Sequence, residues 1–308
     1  MSSSMRFGLV GTGHWARVAH APALAATEDA AFAGVWGRDP ARTAALAGEF
    51  GVRPYDSFDD LLADVDAVEF SVPPDVQAEH ATAAAAAGKH LLLEKPIALD
   101  AAGGRALTDA AAASGVASVV FFTQLFRPEV RDWLASCRAA AAEHPWEGGT
   151  ALTLGSVQRE QGAFSTPWRL EHGGLWDLAP HALSILLNVL EPVGDVAAHE
   201  DPLGTVHLVL GHRGGASSTV TVSQNVPSAA GLSYARVWGG AGHAVVPEPH
   251  TPVVDALSRA IAELTAAARP GAPAHPHGLE FGARVLDVLV RAQDDLDRAR
   301  HNGQMSPR

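Results

Sequence analysis

The chain has 308 residues, 47% of them hydrophobic and 18% charged, with a formal net charge of -12. That length accommodates two domains, because single cores rarely grow beyond about 250–300 residues; the negative balance offers no basic footprint to a nucleic-acid backbone or an anionic membrane. Cys137 is the single cysteine, which excludes an intrachain disulfide and any cysteine-based metal site.

The amino end, MSSSMRFGLVGTG, lacks the basic region and apolar core of a signal peptide. No run approaches the roughly 18 apolar residues of a membrane span, so a cytoplasmic protein is expected. From Arg6 to about Phe122 short apolar runs alternate with alanine-rich helical stretches, the pattern of βαβ units around a parallel sheet. The segment VQAEHATAAAAAG, ending at Gly88, reads as a crossover helix, since alanine is the best helix former and glycine a natural stop.

Within GLVGTGHWA, Gly11, Gly13 and Ala16 form a G-x-G-x-x-A pattern directly after the first strand. Gly11 permits the tight turn, Gly13 lets the backbone approach a pyrophosphate, and Ala16 allows close helix–strand packing. The turn Gly11, Thr12, Gly13, His14 and Trp15 is thus a candidate phosphate cradle at a helix N-terminus. The second strand ends in GVWGRDP. Gly37 stands where an NAD-selective acid is expected, and Arg38 follows, which favours NADP(H) while leaving NAD(H) possible. The alternative reading sends Arg38 to solvent and makes Asp39 the cap of a helix beginning at Pro40.

In GKHLLLEKPIAL, Glu94, Lys95 and Pro96 fall at the carboxyl end of a later parallel strand, where open α/β sheets bind ligands. A lysine there can donate to a substrate oxygen, act as an acid or neutralise a developing alkoxide.

After Phe122 the rhythm changes. A helical segment from about Glu129 to Glu143 leads into the loop HPWEGGT, and then TALTLGSVQ, GTVHLVLGH, ASSTVTVSQNV and LSYARVWGG read as strands, split early by the helix HALSILLNVL. Strands following strands, with glycine turns, predict an antiparallel sheet. In EHGGLWDLAPHALSILL, Asp177 and His181 are four apart and share a helical face. Pro180 fits a first turn, so the helix is expected to begin near Asp177, with Gly173 and Gly174 as the preceding turn. The pair reads either as a proton-transfer couple or as a capping aspartate and a satisfied histidine. Trp168 and Trp176 read as core aromatics or as a platform for a sugar ring. From Thr251 two helical patterns flank RPGAPAHPHG, where His275 and His277 read as loop residues; no metal site is expected.

Together these motifs resemble the Gfo/Idh/MocA oxidoreductase family, through GTGHWA, SVPPDVQAEHATAAAAAGKHLLLEKPIAL and WRLEHGGLWDLAPH. The resemblance covers nearly the whole chain. It implies an α/β protein: an N-terminal Rossmann domain with a doubly wound parallel sheet, residues 1–122, and a C-terminal α+β domain, residues 123–308, with a largely antiparallel open sheet. The free face of that sheet would mediate a homodimer or homotetramer. Lys95 would sit beside nicotinamide and substrate, faced by Asp177 and His181. His181 would give or take the proton while hydride passes between the substrate's carbinol carbon and nicotinamide C4. Ser71, Pro73 and Pro74 would line the cofactor together with Glu94, and the Lys95–Pro96 bond would be cis. The expected activity is an NAD(P)-dependent dehydrogenase or reductase acting on CH–OH groups of a sugar-like or other small polar substrate. The alternatives are a non-catalytic NAD(P)-binding regulator and a redox-neutral enzyme holding its cofactor tightly. Departures stand at Ser184, where many members carry aspartate, and at Thr123 and Leu125 in FTQLFRP, where many carry asparagine and arginine. The family's sugar preference does not carry over through those positions.

Overall fold

The first half forms six parallel strands: β1 (Met5–Val10), β2 (Ala30–Trp36), β3 (Arg53–Pro54), β4 (Ala67–Phe70), β5 (His90–Glu94) and β6 (Ser118–Phe121); all but β3 come from its apolar runs. Their order in the sheet is β3-β2-β1-β4-β5-β6, the doubly wound dinucleotide-binding order. This is a computed structural model, which describes residues 4–160 and 162–304. The connecting helices are α1 (Ala21–Ala26), α2 (Pro40–Phe50), α3 (Phe58–Asp64), α4 (Pro74–Ala86) and α5 (Ala101–Ser114). Local chemistry sets their ends. The Asp39 carboxylate accepts from the backbone N–H groups of Ala41 and Arg42 at 3.0 and 3.1 Å, satisfying donors that a helix start leaves orphaned. Gly51 and Gly115 close α2 and α5 in the left-handed conformation, with φ of 65° at each. The alanine-rich stretch is indeed helix α4, with Ala78, Ala81, Ala84 and Ala85 buried.

Phe126 ends the first compact stretch. The second unit begins with α6 (Pro128–Ala141) and continues through β7 (Trp146–Leu154), α7 (Pro167–Asp177), α8 (Ala179–Leu186), β8 (Val193–Glu200), β9 (Val206–His212), β10 (Ser217–Ser223), β11 (Leu232–Gly239) and β12 (Gly242–Val245). Its sheet runs β12-β11-β7-β10-β9-β8 and is antiparallel except for the β7–β10 pair. One face is apolar: Ala151, Leu208, Leu210, Val220, Val222 and Val237 are buried, and α8 packs on β7, β10 and β11. The opposite face carries Thr150, Thr219, Thr221, His207, Val209, Arg236 and Trp238 in register. Three strands escaped the sequence reading, β3, β8 and β12. All three are edge strands, and edges dilute their apolar pattern with charged and small residues.

The chain then returns to the first unit with Thr251–Ala283. Helix α9 (Val253–Ala267) lays Ala256, Leu257, Ala260, Ile261 and Leu264, all fully buried, against β5 and β6. Helix α10 (Leu279–Gln304) starts in this unit and contributes from Arg284 onward to the second. The sequence reading drew one boundary after Phe122; the first unit is discontinuous in sequence, and its second stretch brings the apolar stripe of α9 onto β5 and β6. No helix among the described residues is long and apolar enough to cross a membrane.

Leu92 is fully buried in the middle of β5. Its replacement in Leu92→Ala is expected to lower the unfolding free energy by about 2–5 kcal/mol, measured by urea denaturation beside the wild type; a loss under about 1 kcal/mol contradicts a two-sided burial of this strand.

Candidate active site

The glycine turn after β1 has the shape its sequence demands. Gly11 has φ of 126°, and a Cβ there would lie 2.3 Å from the Ser71 carbonyl oxygen, so no larger residue fits. The turn is tied to both neighbouring strand ends: the Gly11 N–H donates to the Trp36 carbonyl at 2.9 Å, and the Ser71 N–H to the Val10 carbonyl at 2.8 Å. At Gly13, by contrast, a Cβ would meet nothing within 4 Å. The backbone there is open to an approaching group, as a pyrophosphate site requires. A π-helical turn, Ala16–His20, follows and runs into α1.

The far end of the cradle lies at the close of β2. A Cβ on Gly37 would come within 2.8 Å of the Thr12 methyl, which makes the missing acid a steric fact as well as a chemical one. Arg42, in the first turn of α2, donates from Nη2 to the Thr12 carbonyl at 3.0 Å. A cavity of about 230 Å³ is lined by Gly11, Thr12, Gly13, Gly37, Arg38, Arg42, Val72 and Pro73. A second, of about 270 Å³, is lined by Thr12, Gly13, His14, Arg17 and Arg42. Pro73 and Pro74 open α4 beside this cradle. The sequence reading left Arg38 between a phosphate grip and solvent, the latter with Asp39 as the cap of α2; Asp39 does cap α2, and Arg38 is exposed at the rim of the cavity that it lines. Arg42 was missed; it lies four residues after Arg38, on the first turn that Asp39 caps.

The carboxyl end of β5 is held by a side chain that no motif announced. Gln77, fully buried on α4, donates from Nε2 to the carbonyls of Glu94 (2.8 Å) and Pro96 (3.2 Å) and accepts the Glu94 N–H at 2.8 Å. The Lys95–Pro96 bond is cis, and Lys95 is 7% exposed. Next to it lies a buried charge cluster. His20 Nδ1 meets Glu69 Oε1 at 2.6 Å, and its Nε2 meets Glu94 Oε1 at 3.2 Å. The Trp15 indole donates to the same Glu94 oxygen at 2.8 Å, and Glu94 Oε2 accepts the Lys95 backbone N–H at 3.2 Å.

Burial disfavours an imidazolium at His20, but the hydrogen bonds and charges of Glu69 and Glu94 prevail and its pKa is raised to about 9. Burial raises Glu69 against the pull of His20. At Glu94 burial also favours the neutral acid; His20, Lys95 and Trp15 overcome it and hold the carboxyl below its ordinary range.

In the second unit the helix expected to begin near Asp177 is α8, which starts at Ala179; a further helix, α7, precedes it from Pro167 and breaks inside at Gly173, where φ is 65° and ψ −162°. Asp177 is its last residue, and His181 lies in the first turn of α8 after the single linking residue Leu178. Asp177 is 6% exposed and held at both oxygens: Arg169 Nε donates to Oδ1 at 3.2 Å and Gln224 Nε2 to Oδ2 at 2.6 Å. The Arg169 guanidinium lies over the Trp168 ring, 5.0 Å from its centre. Arg169 was part of the quoted WRLEHGG stretch without a role, and Gln224, 47 residues from Asp177, left no local signal. Ser184 donates to the His181 carbonyl at 2.8 Å. Trp176 is core, its indole bound to Gln293 at 3.0 Å, and His275 pairs with Glu263 at 2.8 Å.

A parallel sheet in this order with a glycine turn after its first strand defines a dinucleotide-binding protein of the Rossmann class. Residues 5–122 match the GFO_IDH_MocA family model, an oxidoreductase family with an NAD-binding Rossmann fold. The chain is 37% identical over 127 residues to D-xylose 1-dehydrogenase (NADP(+)) 2 of Haloferax volcanii, covering 40% of this chain and 39% of that protein. It is 33% identical over 209 residues to dTDP-3,4-didehydro-2,6-dideoxy-alpha-D-glucose 3-reductase of Streptomyces antibioticus, covering 62% and 58%. The match thus spans less than two thirds of either relative. The fold is shared with GenD2 from gentamicin A biosynthesis, solved in complex with NAD, at a TM-score of 0.85 and 20% identity over 97% of this chain and 96% of that one.

The raised pKa of His20 has a stability consequence. The cluster's contribution is fully present below the ordinary imidazole value of 6.5 and is lost as pH rises through about 9. The thermal unfolding midpoint, followed in buffers from neutral to alkaline pH, is expected to fall across that upper value; a midpoint flat through it contradicts a charged His20.

Proposed function

We propose that the protein is an NADP(H)-preferring oxidoreductase that oxidises a secondary alcohol, or reduces the corresponding ketone, of a sugar-like or other small polar substrate. The observation that carries the preference is the far end of the cradle: Gly37 leaves no room for a carboxylate beside Thr12, and Arg38 and Arg42 line the same cavity. Two guanidinium groups suit a 2′-phosphate, and the absent acid removes the group that would repel it. The sugar class is supported by the relatives, whose names specify D-xylose and a dTDP-linked deoxysugar.

A bound nicotinamide nucleotide supplies the hydride acceptor or donor, and the open backbone at Gly13 with the helix start behind it fits its pyrophosphate. Lys95, at the close of β5, places a cation where alkoxide charge develops on the substrate oxygen. His181 takes that hydroxyl's proton in oxidation and returns it in reduction. Asp177, pinned by Arg169 and Gln224, serves to position His181, four residues on. We also assign the open sheet face of the second unit to a second copy of the chain. Val209, Leu232, Trp238 and Val245 are 56%, 47%, 39% and 42% exposed there, and an exposed apolar face of this kind marks an interaction surface.

Fluorescence titration with NADPH and NADH is expected to give NADPH the tighter binding by about tenfold or more, about 1.4 kcal/mol. Arg42→Ala should erase most of that preference and leave NADH affinity near the wild-type value; equal affinities in the wild type overturn the NADP assignment, and binding of neither overturns the oxidoreductase reading.

In a screen of polyols, sugars and nucleotide sugars, Lys95→Ala is expected to lower kcat/KM by about 100-fold or more while NADPH still binds. Turnover close to wild type in that variant would remove Lys95 from the chemistry.

A further inference from the structure

Strand β5 runs on past its neighbour. Its register with β4 ends at Leu92, opposite Glu69, while the strand itself continues to Glu94. The Gln77 amide stands where a further residue of β4 would be. Its Oε1 accepts the Glu94 N–H at 2.8 Å and its Nε2 donates to the Glu94 carbonyl at 2.8 Å, the reciprocal exchange of two strand residues in a hydrogen-bonded pair. The other proton of Nε2 goes to the Pro96 carbonyl at 3.2 Å. Gln77 is fully buried, and the rest of the buried face of α4 is Pro74, Ala78, Ala81, Ala84 and Ala85. A polar group on such a face costs free energy unless it is bonded, and an apolar side chain of the same length would serve the packing. The bonds are therefore the reason for the glutamine, and all three go to the two residues that flank Lys95. The lysine's own N–H is held by Glu94 Oε2 at 3.2 Å. The helical turn that carries Gln77 also borders the nucleotide cavity: the Gln77 N–H donates to the Pro73 carbonyl at 2.8 Å, and Pro73 and Val76 line that cavity.

We propose that Gln77 is a positioning residue for Lys95: clasping Glu94 and Pro96 from α4, it fixes the backbone on either side of the lysine and so the direction in which the side chain leaves the strand end. This inference rests on the reading of Lys95 as the cation of the active site. A displacement of about 1 Å at a catalytic group can cost about 100-fold in rate. Without the clasp, the Glu94 N–H and the Pro96 carbonyl are left to find other partners in a buried setting, and the peptide groups around Lys95 turn to reach them.

Gln77→Met keeps the length of the side chain and removes all three bonds. On a substrate found in the screen it is expected to lower kcat by about tenfold or more, with KM and NADPH affinity within about twofold of wild type. Added to Lys95→Ala, the same change should cost less than about twofold, because no ammonium is left to misplace. A glutamine that only supports the fold acts equally in both backgrounds. A folded Gln77→Met protein with the wild-type kcat overturns the proposal, and so does a loss undiminished by Lys95→Ala. If Gln77→Met does not fold, Gln77→Glu, which keeps the acceptor for the Glu94 N–H, decides by the same comparisons. The chain contains two lysines, Lys89 and Lys95, so the clasp can also be followed with neither cofactor nor substrate. Trace acetylation by acetic anhydride, read from peptide masses, is expected to run several-fold faster at Lys95 in Gln77→Met than in wild type. Lys89, just before β5 and bound to the Val65 carbonyl at 2.9 Å, should be unmoved. An unchanged or slower rate at Lys95 overturns the proposal whatever becomes of the oxidoreductase reading. A Lys95→Ala enzyme as active as wild type sinks the catalytic reading of Lys95 and the positioning role with it, and leaves the acetylation result to report the clasp alone.

Discussion

A carboxylate carried into a protein interior must bring a counter-charge with it or give up its own. The first unit places two of them side by side, Glu69 on β4 and Glu94 on β5, and much of the local architecture answers that demand. The helix after the glycine turn delivers His20 between them, Trp15 spends its one N–H on Glu94, and Gln77 takes up the backbone of the same residue at both ends. Two features far apart in the chain, the phosphate turn and the lysine-bearing strand end, are thereby joined through side chains rather than through the sheet ladder alone. The shape of one cannot shift without disturbing the charge balance of the other.

Much of this unit was legible in advance because its signals are local. Glycines 11 and 13, the proline after Lys95 and the cap at Asp39 are chemistry read within a few residues, and the βα alternation fixes where strand ends must gather. What escaped notice was long-range. His20 meets Glu69 and Glu94 across 49 and 74 residues, and Gln77 reaches Glu94 from a helix whose alanine content hides any functional position. Arg42 stood one helical turn from Arg38 and was recoverable, had the Asp39 cap been used to phase the helix. The glycine pair and the nearby proline signalled a break that exists at Gly173 and a helix start that α8 makes at Ala179, while the helical turns from Pro167, on the near side of the break, were missed.

The second unit meets a different demand. Its sheet buries one face, so polar groups at the edge of that core must be fully partnered, and Asp177 is. Arg169 and Gln224 satisfy both of its oxygens, one from the same helix and one from the end of β10. An aspartate fixed at both oxygens makes a steady electrostatic environment for a histidine four residues on, and a poor shuttle for protons itself. In the proposed function that bonding pattern suits Asp177 to positioning and His181 to proton transfer, a choice that sequence spacing alone leaves open between a proton-transfer couple and a capped helix.

The discontinuous first unit bears on how the chain reaches its fold as it is made. Domains generally fold as units during synthesis, amino-terminal ones first, yet here the stripe from Ala256 to Leu264 that covers β5 and β6 is encoded after the whole strand-rich stretch of the second unit. Until residue 264 has left the ribosome, the parallel sheet has an uncovered apolar face, and the strands from β7 to β12 emerge while it does. The amino-terminal domain by sequence is therefore not the first to be finished, and the nascent chain is at its most adhesive over the interval in which β7 to β12 are being translated.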